Sequence, residues 1–200
     1  MRRRVVIIDD SSRSRAALGA AIKGFGCEIA GEGVNGSEAI RLAQDLKPDV
    51  LFLAVGLPEM DGLTAAAQIL EAHPLPIIIL SSHLDPELIQ RAKEAGVMAY
   101  MVKPLREEEL LPTIELAVSR FEEFTALRKE NEDLKRTLEG RKLIERAKGV
   151  LMERENISEQ QAFARIQKAS MNTRRSMAEI AQAILLSEEV ATRTFERPQG

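Results

Sequence analysis

The sequence has few residues that can form covalent cross-links and no long apolar segment. It contains one cysteine, Cys27, so an internal disulfide is excluded and a structural thiol is expected. No stretch approaches the roughly 18 apolar residues of a membrane span. The apolar run that follows Met1–Arg4 is too short for a signal peptide. These absences predict a cytoplasmic protein without membrane association.

The chain also lacks a strong net charge. With 28 basic and 31 acidic residues, its formal net charge is −3, so the overall balance does not indicate a nucleic-acid-binding protein. Any basic surface must therefore be local. The length of 200 residues and the hydrophobic content of 44% are sufficient for two compact domains.

Short apolar runs alternate with helical patterns from residue 4 to about residue 105. The predicted strands are Val5–Ile8, Glu28–Gly31, Val50–Leu53, Ile77–Leu80 and Ala99–Val102. The predicted helices are Arg13–Lys23, Ser37–Leu46, Leu63–Ala72 and Pro86–Ala95. Because three of the runs are apolar throughout, we expect parallel strands covered on both faces. The pattern predicts a doubly wound α/β domain with a five-stranded parallel sheet, and a ligand site at the carboxyl ends of its strands.

Several polar residues follow these strands directly: Asp9, Asp10, Ser81 and Lys103. Together with Gly56-Leu57-Pro58, Met60-Asp61-Gly62 and Lys103-Pro104, they resemble the receiver domain of bacterial two-component response regulators, over residues 4 to about 118. The resemblance implies a flavodoxin-like fold. It also implies a pocket that accepts a phosphoryl group from a sensor histidine kinase.

The resemblance implies a role for each pocket residue. Asp10 would be a ligand to Mg²⁺ with Asp9 assisting, and the carbonyl of Gly56 would be a further ligand. Ser81 and Lys103 would contact phosphoryl oxygens.

Two further positions belong to the same resemblance. Pro104 would follow a cis peptide bond that aims Lys103 inward, and Tyr100 occupies the position of an aromatic residue that turns inward on activation.

Ala54 departs from the receiver pattern, which has the phosphate-accepting aspartate at this position. A methyl group can neither attack phosphorus nor bind a cation, so we expect weakened Mg²⁺ binding and no phosphorylation. Either an aspartate was replaced by Ala54, or this receiver signals without phosphate. The sequence leaves both explanations open, and it does not decide whether the resting state is a monomer or a preformed dimer.

The segment Arg106–Glu139 contains no glycine and is rich in charged residues and leucine, which favours one long helix. A seam with spacing of three and four residues predicts a coiled-coil dimer: Phe124, Leu127, Asn131, Leu134 and Leu138. A lone amphipathic linker helix is the alternative. We expect Gly140 to end this pattern. The predicted boundaries are 1–118 for the receiver, 119–140 for the linker, 141–190 for a helical module and 191–200 for a flexible tail.

The C-terminal module has the pattern of a small three-helix bundle. Its first segment is Arg141–Glu153. Capping boxes at Ser158–Gln161 and Ser176–Glu179 each open a further helix. Phe163 is predicted to face the core.

Positive charge is concentrated in this module. Between Arg141 and Glu179 there are nine basic and five acidic residues, a local excess that suits a phosphate backbone. The segments Ile144–Met152, Ser158–Phe163 and Ala169–Asn172 resemble the ANTAR domain, over residues 130–190. That resemblance implies binding to paired RNA hairpins and prevention of transcription termination. The residues expected to contact phosphates are Arg146, Lys148, Arg174 and Arg175.

The sequence of the C-terminal module leaves other functions open. A DNA-binding regulator is the main alternative, although the final helix is too apolar and acidic to enter a major groove. A pure dimerisation module is also possible. The module contains no His, no Cys and no pair of acids arranged for catalysis, so we do not expect an enzyme.

Overall fold

The computed structural model describes the backbone of residues 2–195 and the side chains of residues 2–190. The boundary between two compact units lies between Ala126 and Leu127. Among the described residues, no helix combines the length and apolar character needed to cross a membrane.

The first unit contains a five-stranded parallel sheet with the order β2-β1-β3-β4-β5. The strands are β1 (Arg4–Ile8), β2 (Glu28–Gly33), β3 (Val50–Ala54), β4 (Ile77–Ser81) and β5 (Ala99–Val102). The helices are α1 (Ser12–Gly24), α2 (Gly36–Leu46), α3 (Gly62–Ala72), α4 (Pro86–Ala95) and the start of α5 (Glu107–Glu155). The doubly wound α/β prediction is confirmed.

The sheet lies between two helical layers. Side chains of α2, α3 and α4 pack on one face, and side chains of α1 and α5 pack on the other. All residues of β3 and β4 are buried, because both of their faces are covered. This burial accounts for the continuous apolar runs in the sequence.

Helix starts near the sheet edge carry side-chain caps. The oxygens of Ser11, Asn35, Asp61 and Asp85 accept hydrogen bonds from backbone N–H groups in the first turns of α1, α2, α3 and α4. Each cap of this kind contributes about 1 kcal/mol. These caps hold the helix N-termini at the same edge as the strand ends.

Gly140, where the seam pattern was expected to end, does not interrupt the helix. Helix α5 runs without interruption from Glu107 to Glu155. A glycine inside a helix costs only about 1 kcal/mol relative to alanine, which the surrounding helix formers can offset. A Cβ atom at Gly140 would lie 3.4 Å from the Cβ of Ala178, which is van der Waals contact with the last helix.

The second unit is a three-helix bundle formed by the end of α5, α6 (Glu159–Thr173) and α7 (Met177–Phe195). Its core consists of small and aliphatic side chains: Ala147, Leu151, Ala162, Ile166, Ala181 and Leu185. Both predicted capping boxes are present, at Ser158–Gln161 and at Ser176–Glu179. Helix α7 continues past residue 191, where the tail was predicted to begin, and residues 196–200 lie outside the described part of the chain.

The prediction that Phe163 faces the core is wrong. The Phe163 side chain is 43% exposed. The neighbouring positions Ala162 and Ile166 fill the inward face of α6 instead.

Candidate functional site

Strand register places the predicted pocket residues at one edge of the sheet. Ile8, the residue before Asp9, pairs with Leu53 in the next strand, and Ala54 pairs with Leu80. Ser81 in turn pairs with Val102. Because the strands are parallel, the residues that follow them all emerge at the carboxyl edge, as the sequence predicts.

Asp9 is the centre of the polar network at this edge. Its carboxylate is completely buried, and Oδ1 accepts a hydrogen bond from the backbone N–H of Ser11 at 3.0 Å. Oδ2 accepts one from the hydroxyl of Ser14 at 2.8 Å and forms an ion pair with Nζ of Lys103. Both carboxylate oxygens are therefore satisfied by groups of the protein itself.

These contacts set the charge of Asp9. Burial raises the pKa of this carboxyl, but the hydrogen bonds from Lys103, Ser11 and Ser14 outweigh it, and the pKa lies below its usual value. Asp9 is thus a carboxylate at neutral pH. Its negative charge is balanced by the ammonium group of Lys103.

Ala54 is the last residue of β3, and its methyl side chain adds no polar group to the carboxyl edge of the sheet. It is buried within the apolar cluster between the sheet and helices α1 and α5. The loop after it is tightly folded, because a Cβ atom at Gly62 would lie 1.9 Å from the carbonyl oxygen of Ala54. The backbone around position 54 is therefore closely constrained, while its side chain offers no oxygen.

Two predicted switch residues share one acceptor. The hydroxyl of Ser81 donates to the carbonyl of His83 at 2.9 Å, and the hydroxyl of Tyr100 donates to the same carbonyl at 2.8 Å. The Lys103–Pro104 peptide bond is cis, as the resemblance implies. In this arrangement the loop after β4 is tied to both β4 and β5 through His83.

Sequence reasoning missed Arg15 at this site. Its Nη1 donates to the carbonyl oxygen of Asp9 at 2.5 Å, and its Nε lies 3.5 Å from Oε2 of Glu32. Nε is buried and has no hydrogen-bond partner. Arg15 and Glu32 are far apart in sequence, and no short motif links them, so only the fold reveals this second cation beside Asp9.

The oxygen atoms available at this edge of the sheet do not form a site that would hold a divalent cation tightly. Asp10 is exposed, the oxygens of Asp9 are engaged by the protein, and Gly56 offers only its carbonyl. Within residues 2–190, no group of three His, Cys, Asp or Glu side chains is placed to hold a metal ion. A hard cation such as Mg²⁺ prefers carboxylate oxygens, and position 54 does not provide one.

Lys148 is not available for a phosphate in this arrangement, which differs from the sequence expectation. Its side chain is 8% exposed, and its Nζ forms ion pairs with Glu145 at 2.8 Å and with Glu159 at 2.6 Å. These two carboxylates raise the pKa of Lys148. The residue joins α5 to the start of α6 and acts as a structural link.

The other predicted contacts remain on the surface. Arg146, Arg174 and Arg175 are exposed, and none of them has an ion pair to a residue within 2–190. The same is true of three additional basic residues that sequence reasoning did not single out: Arg141, Lys142 and Lys168. By contrast, Arg154 and Arg165 both pair with Glu155. The module thus presents unpaired positive charges.

Family models match both units. Residues 5–115 match the response regulator receiver domain, and residues 132–185 match the ANTAR domain. The chain is 43% identical over 183 residues to the transcriptional regulatory protein PdtaR of Mycobacterium tuberculosis, covering 92% of this chain and 89% of that protein.

Two further likenesses concern the receiver alone. The chain is 33% identical over 115 residues to the chemotaxis protein CheY of Thermotoga maritima, covering 57% of this chain and 96% of CheY. The crystal structure of the receiver domain of a modulated diguanylate cyclase from Desulfovibrio desulfuricans superposes with a TM-score of 0.57 at 32% identity, covering 61% of this chain and 98% of that domain. With a matching receiver fold and an ANTAR domain after it, this chain belongs to the ANTAR-type response regulators.

Proposed function

We propose that this regulator binds paired RNA hairpins and prevents transcription termination, without phosphorylation at position 54. The observation that carries the proposal is the set of exposed, unpaired cations on the ANTAR module. ANTAR domains are RNA-binding domains. A local excess of positive charge on an otherwise acidic chain suits the phosphate backbone of a folded RNA.

Dimerisation is the second part of the proposal. Four apolar side chains of the α5 seam are each more than half exposed in the single chain: Phe124, Leu127, Leu134 and Leu138. A second copy of the seam would remove this apolar surface from water, with Asn131 at an inward position that fixes the register. Two modules held together then bind a pair of hairpins more tightly than either module alone.

The receiver pocket supports a phosphate-independent role. Lys103 pairs with Asp9, and position 54 offers no nucleophile. We expect Mg²⁺ to bind weakly at Asp10, and a sensor histidine kinase to transfer no phosphoryl group to position 54. The proposed regulator has no enzymatic activity of its own and acts in the cytoplasm.

Titration with three nucleic acids tests RNA binding. We expect a two-hairpin RNA to bind more tightly than duplex RNA or duplex DNA, with affinity falling as salt rises. Replacing Arg146 or Arg174 by Ala removes one phosphate contact. The negative slope of log K against log[salt] should therefore become shallower, by about 0.7–0.9 for each residue replaced. Arg13→Ala, an exposed change in the receiver, serves as the matched control.

Two results would contradict this function. The first is the absence of salt-sensitive binding to the two-hairpin RNA. The second is equal or tighter binding to duplex DNA, which would favour the DNA-binding alternative.

A further inference from the structure

One face of helix α6 carries large side chains that the bundle does not bury. Four residues of α6 recur at intervals of three and four and thus share this side of the helix. We call this face, together with Arg174, the left-handed C-cap residue that follows the helix, the α6 outer stripe: Gln160, Phe163, Gln167, Met171 and Arg174. Its two apolar members are well exposed, Phe163 at 43% and Met171 at 74%.

The polar members of the stripe have no hydrogen-bond or ion-pair partner within the described residues. The amides of Gln160 and Gln167 and the guanidinium of Arg174 make no side-chain hydrogen bond or ion pair to residues 2–190. The inward side of α6 is filled by Ala162 and Ile166, so the bundle core does not require the Phe163 ring. The stripe therefore lies outside the bundle core.

The local charge favours a polyanion as the occupant. Glu159 is the only acidic residue of α6, and residues 160–178 contain none. That segment contains four basic residues, of which Arg165 pairs with Glu155 and three have no ion pair within residues 2–190: Lys168, Arg174 and Arg175. Exposed cations near an aromatic ring have the chemistry of a nucleic-acid contact.

The side chains match the parts of an unpaired nucleotide. An aromatic ring stacks on a base that has been released from a helix. A glutamine amide both donates and accepts hydrogen bonds, so it can read a base edge. A guanidinium binds phosphate oxygens with two parallel donors. In sequence order, the stripe provides amide, ring and amide along one face of α6, and a cation at the C-cap.

We propose that the α6 outer stripe reads a loop base of the RNA hairpin, with Phe163 stacked on the base. Gln160 and Gln167 contact its edge, and Arg174 binds the adjacent phosphate. The inference rests on the proposed RNA-binding function and names the reading face. A second copy of the chain is a poorer match, because the stripe has only two apolar members beside amides and a cation, whereas the α5 seam is mainly apolar.

Substitutions at Phe163 test the stacking contact with a two-hairpin RNA that carries 2-aminopurine in one loop. Phe163→Ala should weaken binding by about 5- to 150-fold, the range for loss of one base–aromatic stack. Phe163→Leu keeps an apolar side chain without a ring and should be similarly weak, whereas Phe163→Trp should retain affinity. Because the chain has no tryptophan, the introduced indole also gives a unique emission that RNA should quench.

The matched control is Leu186→Ala, which truncates an exposed apolar side chain on α7. We expect it to bind RNA as the unaltered protein does, and all variants to keep the same Tm and the same mass in solution. Loss of affinity on Phe163→Ala and Phe163→Leu, with retention on Phe163→Trp, supports the inference.

Three results would overturn it. Unchanged affinity of Phe163→Ala would show that RNA is bound elsewhere, while the proposed function itself would stand. A change in the mass of the Phe163→Ala protein would assign the stripe to a protein contact. Failure of the unaltered protein to bind the RNA would refute the proposed function, and the inference with it.

Discussion

Replacing Ala54 by Asp is expected to give a receiver that takes up one phosphoryl group from acetyl phosphate in the presence of Mg²⁺. The new carboxylate supplies the missing nucleophile, which attacks phosphorus as acetate leaves. It also adds a third acid to Asp9 and Asp10 and so improves the site for Mg²⁺. Intact-protein mass spectrometry measures the result as a mass gain of one phosphoryl group, against none for the unaltered chain.

Ala54→Asn is the matched control for this change. The amide has nearly the size and polarity of the carboxyl group, but it is not a nucleophile under these conditions, so we expect no mass gain. An Ala54→Asp protein that folds normally and gains no mass would contradict the interpretation of this edge as a receiver pocket that has lost its acceptor. A mass gain in the unaltered chain would contradict it as well.

The second large effect is expected from Leu134→Lys in the α5 seam. A pair of lysines facing each other in a two-stranded coil would bring like charges together in an apolar contact, so the dimer should dissociate. RNA affinity should then fall by about 10²- to 10⁴-fold, because the second hairpin contact is no longer intramolecular. Sedimentation equilibrium and RNA titration measure the two consequences.

Leu116→Lys gives the control, since Leu116 is an equally exposed leucine of α5 that lies outside the seam. It should leave both the mass and the RNA affinity unchanged. Neither substitution should disturb the single chain, because both side chains are already exposed. If Leu134→Lys keeps the mass and affinity of the unaltered protein, α5 is a linker helix without a partner, the alternative that the sequence left open.

The features that sequence reasoning predicted correctly depend on local chemistry. Apolar runs such as Val50–Leu53 identify strands buried on both faces, and Ser158–Gln161 identifies a helix start. Polar residues directly after such runs, Asp9 and Lys103 among them, must meet at the carboxyl edge once the strands are parallel. The contact between Asp9 and Lys103 follows from that topology.

The features that sequence reasoning missed depend on tertiary partners. Lys148 is a basic residue of the kind that contacts phosphate. It is paired with both Glu145 and Glu159 only when α5 and α6 pack together. Phe163 fits the apolar periodicity of α6, although Ala162 and Ile166 already fill the inward face. Helix α5 continues through Gly140, because neighbouring residues offset the modest cost of a glycine.

The most direct test of a phosphate-independent RNA regulator is the affinity of the unaltered protein for a two-hairpin RNA, measured with and without acetyl phosphate and Mg²⁺. We expect tight, salt-sensitive binding with the same dissociation constant under both conditions, since position 54 cannot accept the phosphoryl group. A dissociation constant that falls when the phosphodonor is added would contradict this mechanism.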